Sequence, residues 1–320
     1  MIIVTGCNGF IGSNLVTQLN NLGFRDIIGV DDLSKKQNLI NIAHCELKEL
    51  LDIEEFDKNY LQKNKPFKGI NKIFHQGACS NTMEWDAEYM MKNNYSFSQK
   101  LLDFAYTNLI SFIYASSASV YGEGTKFEEV KENENPINLY AFSKYLFDQL
   151  VRQRLKDNKI QIVGLRYFNV YGPNESHKGQ MASVAYHLHE QLKEGNEVKL
   201  FEGSDGYEAG EQRRDFVYVD DVVKVNLWFM ENVEISGIFN VGTGKSQAFN
   251  EVANSVIEWH GKGSIKYIPF PKELKGSYQS FTEANIDKLR TAGYLENFLD
   301  VQTGVKLYLD KLQNWPKNES

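Results

Sequence analysis

The sequence predicts an α/β fold of Rossmann type, a doubly wound parallel sheet with a smaller C-terminal α/β substrate domain, and three observations carry that expectation. The apolar, β-branched run Met1-Ile-Ile-Val-Thr5 stops abruptly at a glycine turn, Gly6-Cys-Asn-Gly9-Phe-Ile-Gly12. Short strand candidates then alternate with helical stretches as far as Leu165, and each parallel crossover needs a connecting helix. Beyond Pro173 the alternation stops. The expected division is a sheet domain over 1–170 with returning segments at about 213–245, and a second domain over 171–212 and 246–320.

Composition narrows the classes of partner. The chain has 320 residues, 42% hydrophobic and 24% charged, enough for one large or two interlocked domains. A net charge of -7 gives no support for nucleic-acid binding and suits a small-molecule ligand. Cys7, Cys45 and Cys79 are too few and scattered for a disulfide framework or a zinc site, so free thiols, no metal and a reducing cytosol are expected. An apolar strand starts at residue 2 with no basic stretch before it, and no apolar run approaches the roughly 18 residues of a membrane span. A cytoplasmic protein without membrane contact is the expectation.

Taken in order, Gly6 permits a tight turn, Gly9 lets backbone approach a pyrophosphate, and Gly12 lets the following helix, Ser13–Leu22, pack on the strand. The helix start then offers free N–H groups to an anion. The second strand, Asp26–Val30, ends at Asp31-Asp32, where a ribose-binding carboxylate is expected and NAD is favoured. Lys35 and Lys36 follow, and their charges suit a 2′-phosphate, so NAD and NADP both stay open. Ile73-Phe74 leads into His75-Gln-Gly-Ala-Cys-Ser80, whose small residues let backbone pass close to a cofactor, with His75 a packed strand-end residue. A helix over about Trp85–Tyr106 carries Asn93-Asn94, poor helix formers that want polar partners, one of them facing the cofactor site.

The strand Phe112–Ala115 delivers Ser116-Ser117-Ala-Ser119 at its carboxyl end, where ligands bind in open α/β sheets. Tyr140 and Lys144 then lie four residues apart at the head of a helix, with Cβ atoms about 5 to 6 Å apart on one face. A cation so placed lowers the phenol's pKa and makes it a general acid or base. Ile160–Leu165 is the next strand, running into Arg166–Pro173. Loop and short helix over Asn174–Glu194 and a strand Val198–Phe201 follow. Arg213 and Arg214 suit an acidic ligand and precede a helix with Asp220 as N-cap. Gly237–Gly244 reads as strand and turn, Phe249–His260 as helix, and Val301–Leu312 as a terminal helix.

With Gly6, Gly9, Gly12, Ser117, Tyr140 and Lys144 in place, the chain resembles the extended short-chain dehydrogenase/reductase superfamily. The runs Gly77–Asp86, Tyr89–Tyr95, Arg166–Pro173, His177–Ser183 and Phe201–Ser204 resemble its ADP-L-glycero-D-manno-heptose 6-epimerase family. The resemblance implies one tightly held NADP per subunit, an ADP-sugar substrate, no metal, and inversion at C6″ through a ketone, for the heptose of the lipopolysaccharide inner core. It implies a homo-oligomer, a pentamer. Cofactor contacts are implied at Phe10, Ile11, Asp31, Asp32, Lys36, Gln76, Gly77, Ala78, Cys79, Ser80, Asn93, Lys144 and Val170, besides the glycine turn. Substrate contacts are implied at Asn169, Ser183, His187, Phe201, Glu202, Gly203, Ser204, Arg214 and Tyr278.

Removing hydrogen from one face and returning it to the other needs two proton-handling poses. Tyr140 suits one and Lys178, which also falls near the cofactor, the other, with Ser117 on the reacting oxygen. The bland alternatives are a solvated loop cation at Lys178 and a turn-capping serine at Ser117. Another sugar-nucleotide epimerase or a dehydratase could use the same centre, but Ala118 and Ser119 leave no acidic pair beside Ser117 for elimination. A cofactor-sensing regulator is the alternative from another class, and retention of Ser117, Tyr140 and Lys144 argues against it.

Overall fold

The computed structural model describes residues 1–157, 159–271 and 279–314. Seven parallel strands form the main sheet, in the order β11-β6-β5-β4-β1-β2-β3. They are β1 (Ile2–Thr5), β2 (Ile27–Asp31), β3 (Glu49–Asp52), β4 (Lys72–His75), β5 (Ser111–Ser117), β6 (Ile162–Tyr167) and β11 (Gly237–Val241). The order reverses between β1 and β4, which opens a crevice at their carboxyl ends. The sequence reading passes over β3, because Glu49-Leu-Leu-Asp52 is a short edge strand whose outer end is exposed and carries little apolar pattern.

Alternation along the strands builds a core on each face. Ile2 and Val4 pack with Leu15, Val16 and Leu19 of α1 (Phe10–Asn21) and with Val222, Val225 and Phe229 of α7 (Val219–Glu231). Ile3 faces the other way, onto Leu101, Leu102 and Ala105 of α4 (Phe97–Thr107) and Phe147 and Val151 of α5 (Leu139–Arg154). Each such fully buried aliphatic side chain stabilises the fold by about 1.5 to 3 kcal/mol. Two single-turn helices, α2 (Ile53–Phe56) and α3 (Ala87–Met90), precede α4.

A third core lies beyond the sheet. Leu188 and Leu192 of α6 (Val184–Glu194), Val252 and Val256 of α8 (Phe249–His260) and Val305 and Leu309 of α10 (Val301–Asn314) close over Tyr171 and Phe216. The small strands run here as three pairs: β7 (Asn169–Tyr171) with β10 (Phe216–Tyr218), β9 (Arg213–Arg214) with β12 (Gln247–Ala248), and β8 (Glu197–Phe201) with β13 (Ser264–Ile268). The short helix α9 (Asp287–Thr291) returns against β11, where Lys288 Nζ donates to Ile238 O at 2.8 Å. Buried Asp215 pins the junction, accepting from Thr243 N at 2.7 Å, Gly244 N at 3.0 Å and Ala284 N at 3.0 Å.

Two expectations need correction. Tyr218, not Asp220, occupies the N-cap of α7. Asp220 sits in the first turn, where its charge meets the helix dipole, and pairs with Lys311 at 2.9 Å. The helix expected over 85–106 is three pieces, α3, a π-turn at Met91–Ser96 and α4. The π-turn contains Asn93-Asn94, and such bulges are frequent at functional sites.

Candidate active site

The glycine turn is a backbone-to-backbone cradle. Gly6 has φ +69, and a Cβ built on it would lie 2.5 Å from Gly77 N, so β1 and β4 approach too closely for any side chain. A Cβ on Gly12 would strike Gly6 O, and the helix begins at Phe10 with Gly9 as its N-cap, placing its free N–H groups at the turn. The donor set and the absence of side chains fit a pyrophosphate. Ile11 lies on the same first turn of α1, half-buried.

At the β2 end, both oxygens of Asp31 are committed to the turn, accepting from Asn8 N at 2.9 Å and Asp32 N at 2.8 Å. Burial pushes this carboxyl above its usual range. Asp32 takes Ser34 Oγ at 2.5 Å and pairs with Lys35 at 3.4 Å, while Lys36 is exposed at the start of a 3-10 turn. His75 is the packed residue expected, hydrogen-bonded to Thr5 at 2.6 Å and Ser98 at 2.7 Å, its pKa lowered to about 3 by burial and by Lys144.

The loop after β4 brings Gln76, Gly77, Ala78, Cys79 and Ser80 along the crevice. Gln76 turns its side chain away, onto Asn226 and Tyr167, each at 3.0 Å, leaving its backbone to the cleft. The two neighbouring asparagines of this turn are used differently. Asn93 folds onto its own helix, donating to Tyr89 O at 2.7 Å. Asn94 is buried instead and clamps the loop: its Oδ1 accepts from Cys79 N at 2.7 Å, and its Nδ2 donates to Cys79 O at 2.9 Å and Ser143 Oγ at 3.1 Å.

Asn138 caps α5 through Ala141 N at 2.8 Å, and the first two turns of that helix present Tyr140 and Lys144 to the end of β5. The Tyr140 phenol lies by the Ser117 hydroxyl, which favours the ionised form of the phenol. Ser117 also caps the short 3-10 turn after β5, accepting from Ser119 N at 3.1 Å, so it has both the capping and the site contact. The expected lowering of the Tyr140 pKa is not what this geometry gives. Burial pushes the phenol up, against the opposing pull of Ser117, and the Lys144 ammonium donates to Ala115 O at 2.8 Å. Burial brings Lys144 itself down to about 8, opposed by Asp148 one turn further along α5. Asp148 is fully buried and accepts from Tyr114, Ser116 and Arg166.

Lys178 sits across the loop, on a 3-10 turn over Ser176–Met181 that reverses at Gly179 (φ 54). Met181 touches Thr82 at 3.6 Å, joining this turn to the loop that runs past Cys79. The Lys178 ammonium lies 5.0 Å over the Phe10 ring and 3.8 Å from Glu175, and burial lowers its pKa.

The substrate side is assembled in part. Asn169 is exposed at the start of β7, accepting from Thr282 at 3.3 Å, and Val170 beside it is half-buried. Ser183 does not offer a free hydroxyl: it caps α6 and donates to Glu175 at 2.7 Å. His187, one turn on, is half-buried against the Tyr186 ring. Phe201 ends β8 edge-on to Phe270, Glu202 and Gly203 are exposed, and Ser204 accepts from Gln212 at 3.1 Å. Arg213 and Arg214 point opposite ways from β9. Arg213 is taken by Ser246 O at 2.6 Å, and Arg214 is buried. Tyr278 lies outside the described residues.

A family model described as "NAD dependent epimerase/dehydratase family" matches residues 2–242, three quarters of the chain. The chain belongs to that family. Within it, an ADP-L-glycero-D-manno-heptose-6-epimerase from Alkalilimnicola ehrlichii is 50% identical over 316 residues, covering 99% of this chain and 98% of its own. The solved structure of the Helicobacter pylori ADP-L-glycero-D-manno-heptose-6-epimerase is similar at 33% identity, with TM-score 0.82 and 98% and 96% of the two chains covered. A UDP-glucose 4-epimerase from Thermus thermophilus, solved in complex with NAD, is similar at 25% identity and TM-score 0.79, covering 98% of this chain and 99% of its own. The nicotinamide dinucleotide that characterises the family fits the cradle at Gly6, Gly9, Gly12 and Gly77. Among the described residues no cluster of metal-ligating side chains occurs, and no helix is long and apolar enough to cross a membrane.

Sequence reasoning missed Asn94 as the clamp, Asp148 and Glu175. Asp148 had a signal, since Tyr140, Lys144 and Asp148 repeat at four-residue intervals along one helical face. Glu175, in a turn after Gly-Pro, had none.

Proposed function

We propose that the protein is an NADP-dependent epimerase that interconverts ADP-D-glycero-D-manno-heptose and ADP-L-glycero-D-manno-heptose by transient oxidation at C6″. The observation that carries this reading is a cleft with proton-handling groups on separate elements: Tyr140 with Ser117 on α5 and β5, and Lys178 on the turn beyond β7. The 50% identity to an ADP-heptose 6-epimerase along nearly the whole chain supports the substrate.

When bound, the nicotinamide supplies reversible two-electron chemistry at the sugar carbon. Tyr140 takes the C6″ hydroxyl proton as that carbon becomes a ketone, and Ser117 donates to the reacting oxygen. The ketone rotates about the C5–C6 bond, and Lys178 returns a proton to oxygen as hydrogen is delivered to the opposite face. Lys144, fixed on Ala115 O, holds positive charge near the phenol and the cofactor ribose. Arg214 pairs with the substrate diphosphate, for which a guanidinium fork is suited.

For the cofactor, Lys35 and Lys36 supply ammonium groups at the ribose end, while Asp31 is occupied by backbone N–H groups. This arrangement supports a 2′-phosphate. Residues 1–170 with about 213–245 hold the dinucleotide, and 171–212 with 246–320 hold the sugar nucleotide. We place the protein in the cytoplasm as a homopentamer supplying heptose for the lipopolysaccharide inner core.

The test is incubation of the purified protein with each ADP-heptose epimer, and release of its cofactor by denaturation. Convergence of both epimers on one mixture, with 2′-phosphate on the released dinucleotide, is expected. Turnover of hexose nucleotides instead overturns the substrate, and equal activity of the apoprotein given NAD overturns NADP.

A further inference from the structure

Glu175 has no exposed surface, yet its carboxylate gathers four groups from three segments. It accepts from Gly172 N at 3.2 Å, just past the end of β7, and from Ser183 N at 2.7 Å and Ser183 Oγ at 2.7 Å, at the start of α6. The Lys178 ammonium stands 3.8 Å away, and Glu175 O accepts from Lys178 N at 2.9 Å. Main chain and side chain of one residue therefore hold both ends of the lysine. A glycine with left-handed backbone follows at once, so the turn has no helical continuation to fix it.

We propose that Glu175 is the positioning residue for Lys178: from its buried site it ties the lysine's turn to the N-terminus of α6 and faces the ammonium with a fixed negative charge. The assignment rests on the proposed acid/base role of Lys178. A proton donor must be charged before it donates, and burial alone works against that charge. An opposite charge within about 4 to 6 Å restores it by one to three pH units. Other groups around the pair work differently. His177 on the same turn is held neutral by burial and by the Lys178 and Lys35 cations. The Phe10 ring of α1 contributes its π-face to the ammonium. Burial keeps the phenols of Tyr186 of α6 and Tyr308 of α10 protonated, with Glu190 and Glu175 adding to it at Tyr186 and Glu175 at Tyr308. Among these groups, Glu175 is the carboxylate that faces Lys178.

The same residue links chemistry to substrate capture. Ser183 and Tyr186 begin the helix that carries His187, an expected substrate contact. Through Ser183 and Glu175, α6 and the Lys178 turn are held in one fixed arrangement.

Glu175→Gln keeps size and one acceptor oxygen and removes the charge. The Lys178 amine is titrated in the holoprotein by ¹³C NMR after reductive methylation, its signal assigned by loss in Lys178→Met. The midpoint should fall by about one pH unit or more. The pH–rate profile of aldehyde dismutation in a Tyr140→Phe background, where Lys178 acts alone, should shift equally. Glu190→Gln, which removes a carboxylate from α6 that pairs with Lys193 at 2.8 Å, should move neither. Should Glu175→Gln fail to fold, Glu175→Asp retracts the charge without removing it, and its midpoint should fall by a smaller amount. An unshifted midpoint in either folded variant overturns the assignment, with turnover of ADP-heptose still intact. Absence of turnover in the parent protein overturns the proposed function and leaves the amine titration readable.

Discussion

Lys144 and Lys178 are both amines drawn out of water at the same cleft, and they are held in opposite ways. Lys144 projects from a sixteen-residue helix whose first turn is capped by Asn138, and its ammonium rests on a main-chain carbonyl of β5. Asp148, its nearby carboxylate, is locked by Tyr114, Ser116 and Arg166. Lys178 has no helix. Its turn is six residues long, reverses at Gly179 and leans on one buried carboxylate. A group on a helix inherits its place from backbone periodicity, whereas a group on a turn depends on a few side chains. The first amine is therefore suited to a fixed cofactor, and the second to a substrate that presents two faces in succession.

The comparison breaks first at the chemistry. Tyr140→Phe and Lys178→Met should each slow epimerisation by about 10² to 10⁴-fold, since each removes one proton-handling pose. An aldehyde analogue of the C6″ intermediate reacts in either pose, so each single variant should still dismutate it while the double variant does not. Near-parental epimerisation by Lys178→Met would show that Tyr140 serves both faces.

A second measurement separates the two amines by cofactor content. Lys144→Met should lower bound dinucleotide and activity together, whereas Lys178→Met should keep the cofactor at parental stoichiometry, read by absorbance after denaturation. Loss of cofactor from Lys178→Met would make that lysine a cofactor clamp.

The substrate arm offers a similar contrast between neighbours. Arg214→Ala should raise KM for ADP-heptose by about 10 to 100-fold, the size of a lost charged hydrogen bond. Arg213→Ala should change it little, because that guanidinium is occupied by Ser246 and lies 3.9 Å from Glu251. The opposite pattern would assign the diphosphate to Arg213.

The smallest effect reads the charge on Lys144 through His75. The folded protein holds His75 at about 3, below its ordinary value near 6.5, so the unfolded chain takes up the proton first. Stability is then lost as pH falls from about 6.5, by about 1.4 kcal/mol per pH unit for this one proton. Lys144→Met removes the repelling cation and raises the folded value, closing the window from its low-pH end. Urea unfolding between pH 6.5 and 2.5 should show the decline levelling off at a higher pH in the variant than in the parent. Identical declines would mean that burial alone holds the histidine neutral.

These contrasts follow how much could be read from the residues. β1, the glycine turn, Asn138 and the Tyr140–Lys144 spacing are local patterns, and the structure puts them together as the pattern implies. Phe249–His260 was legible to the residue because glycine ends it, with Gly261 at φ 64. The cap of α7 was misread because Asp220 is a good capping type, while the strand β10 runs on through Tyr218 and leaves no position for it. Asn94 was visible as half of an unusual pair, but one residue decides which amide meets Cys79, and the π-turn changes that phase. Glu175 was hidden because its partners, Gly172, Lys178 and Ser183, lie on segments that only the folded chain brings together.

The meeting of Gly6 with Gly77 also sets a schedule for the protein during its synthesis. β1 leaves the ribosome early, but its neighbour β4 follows some seventy residues later, and until then the turn has no opposite wall. At that stage α1 stands without the strand that completes its crevice. Tyr140 arrives next, Lys178 after it, and β11, which closes the far edge of the sheet against β6, arrives much later. A dinucleotide that binds only the completed cradle favours the folded chain over the unfolded one, by an amount that grows with its free concentration.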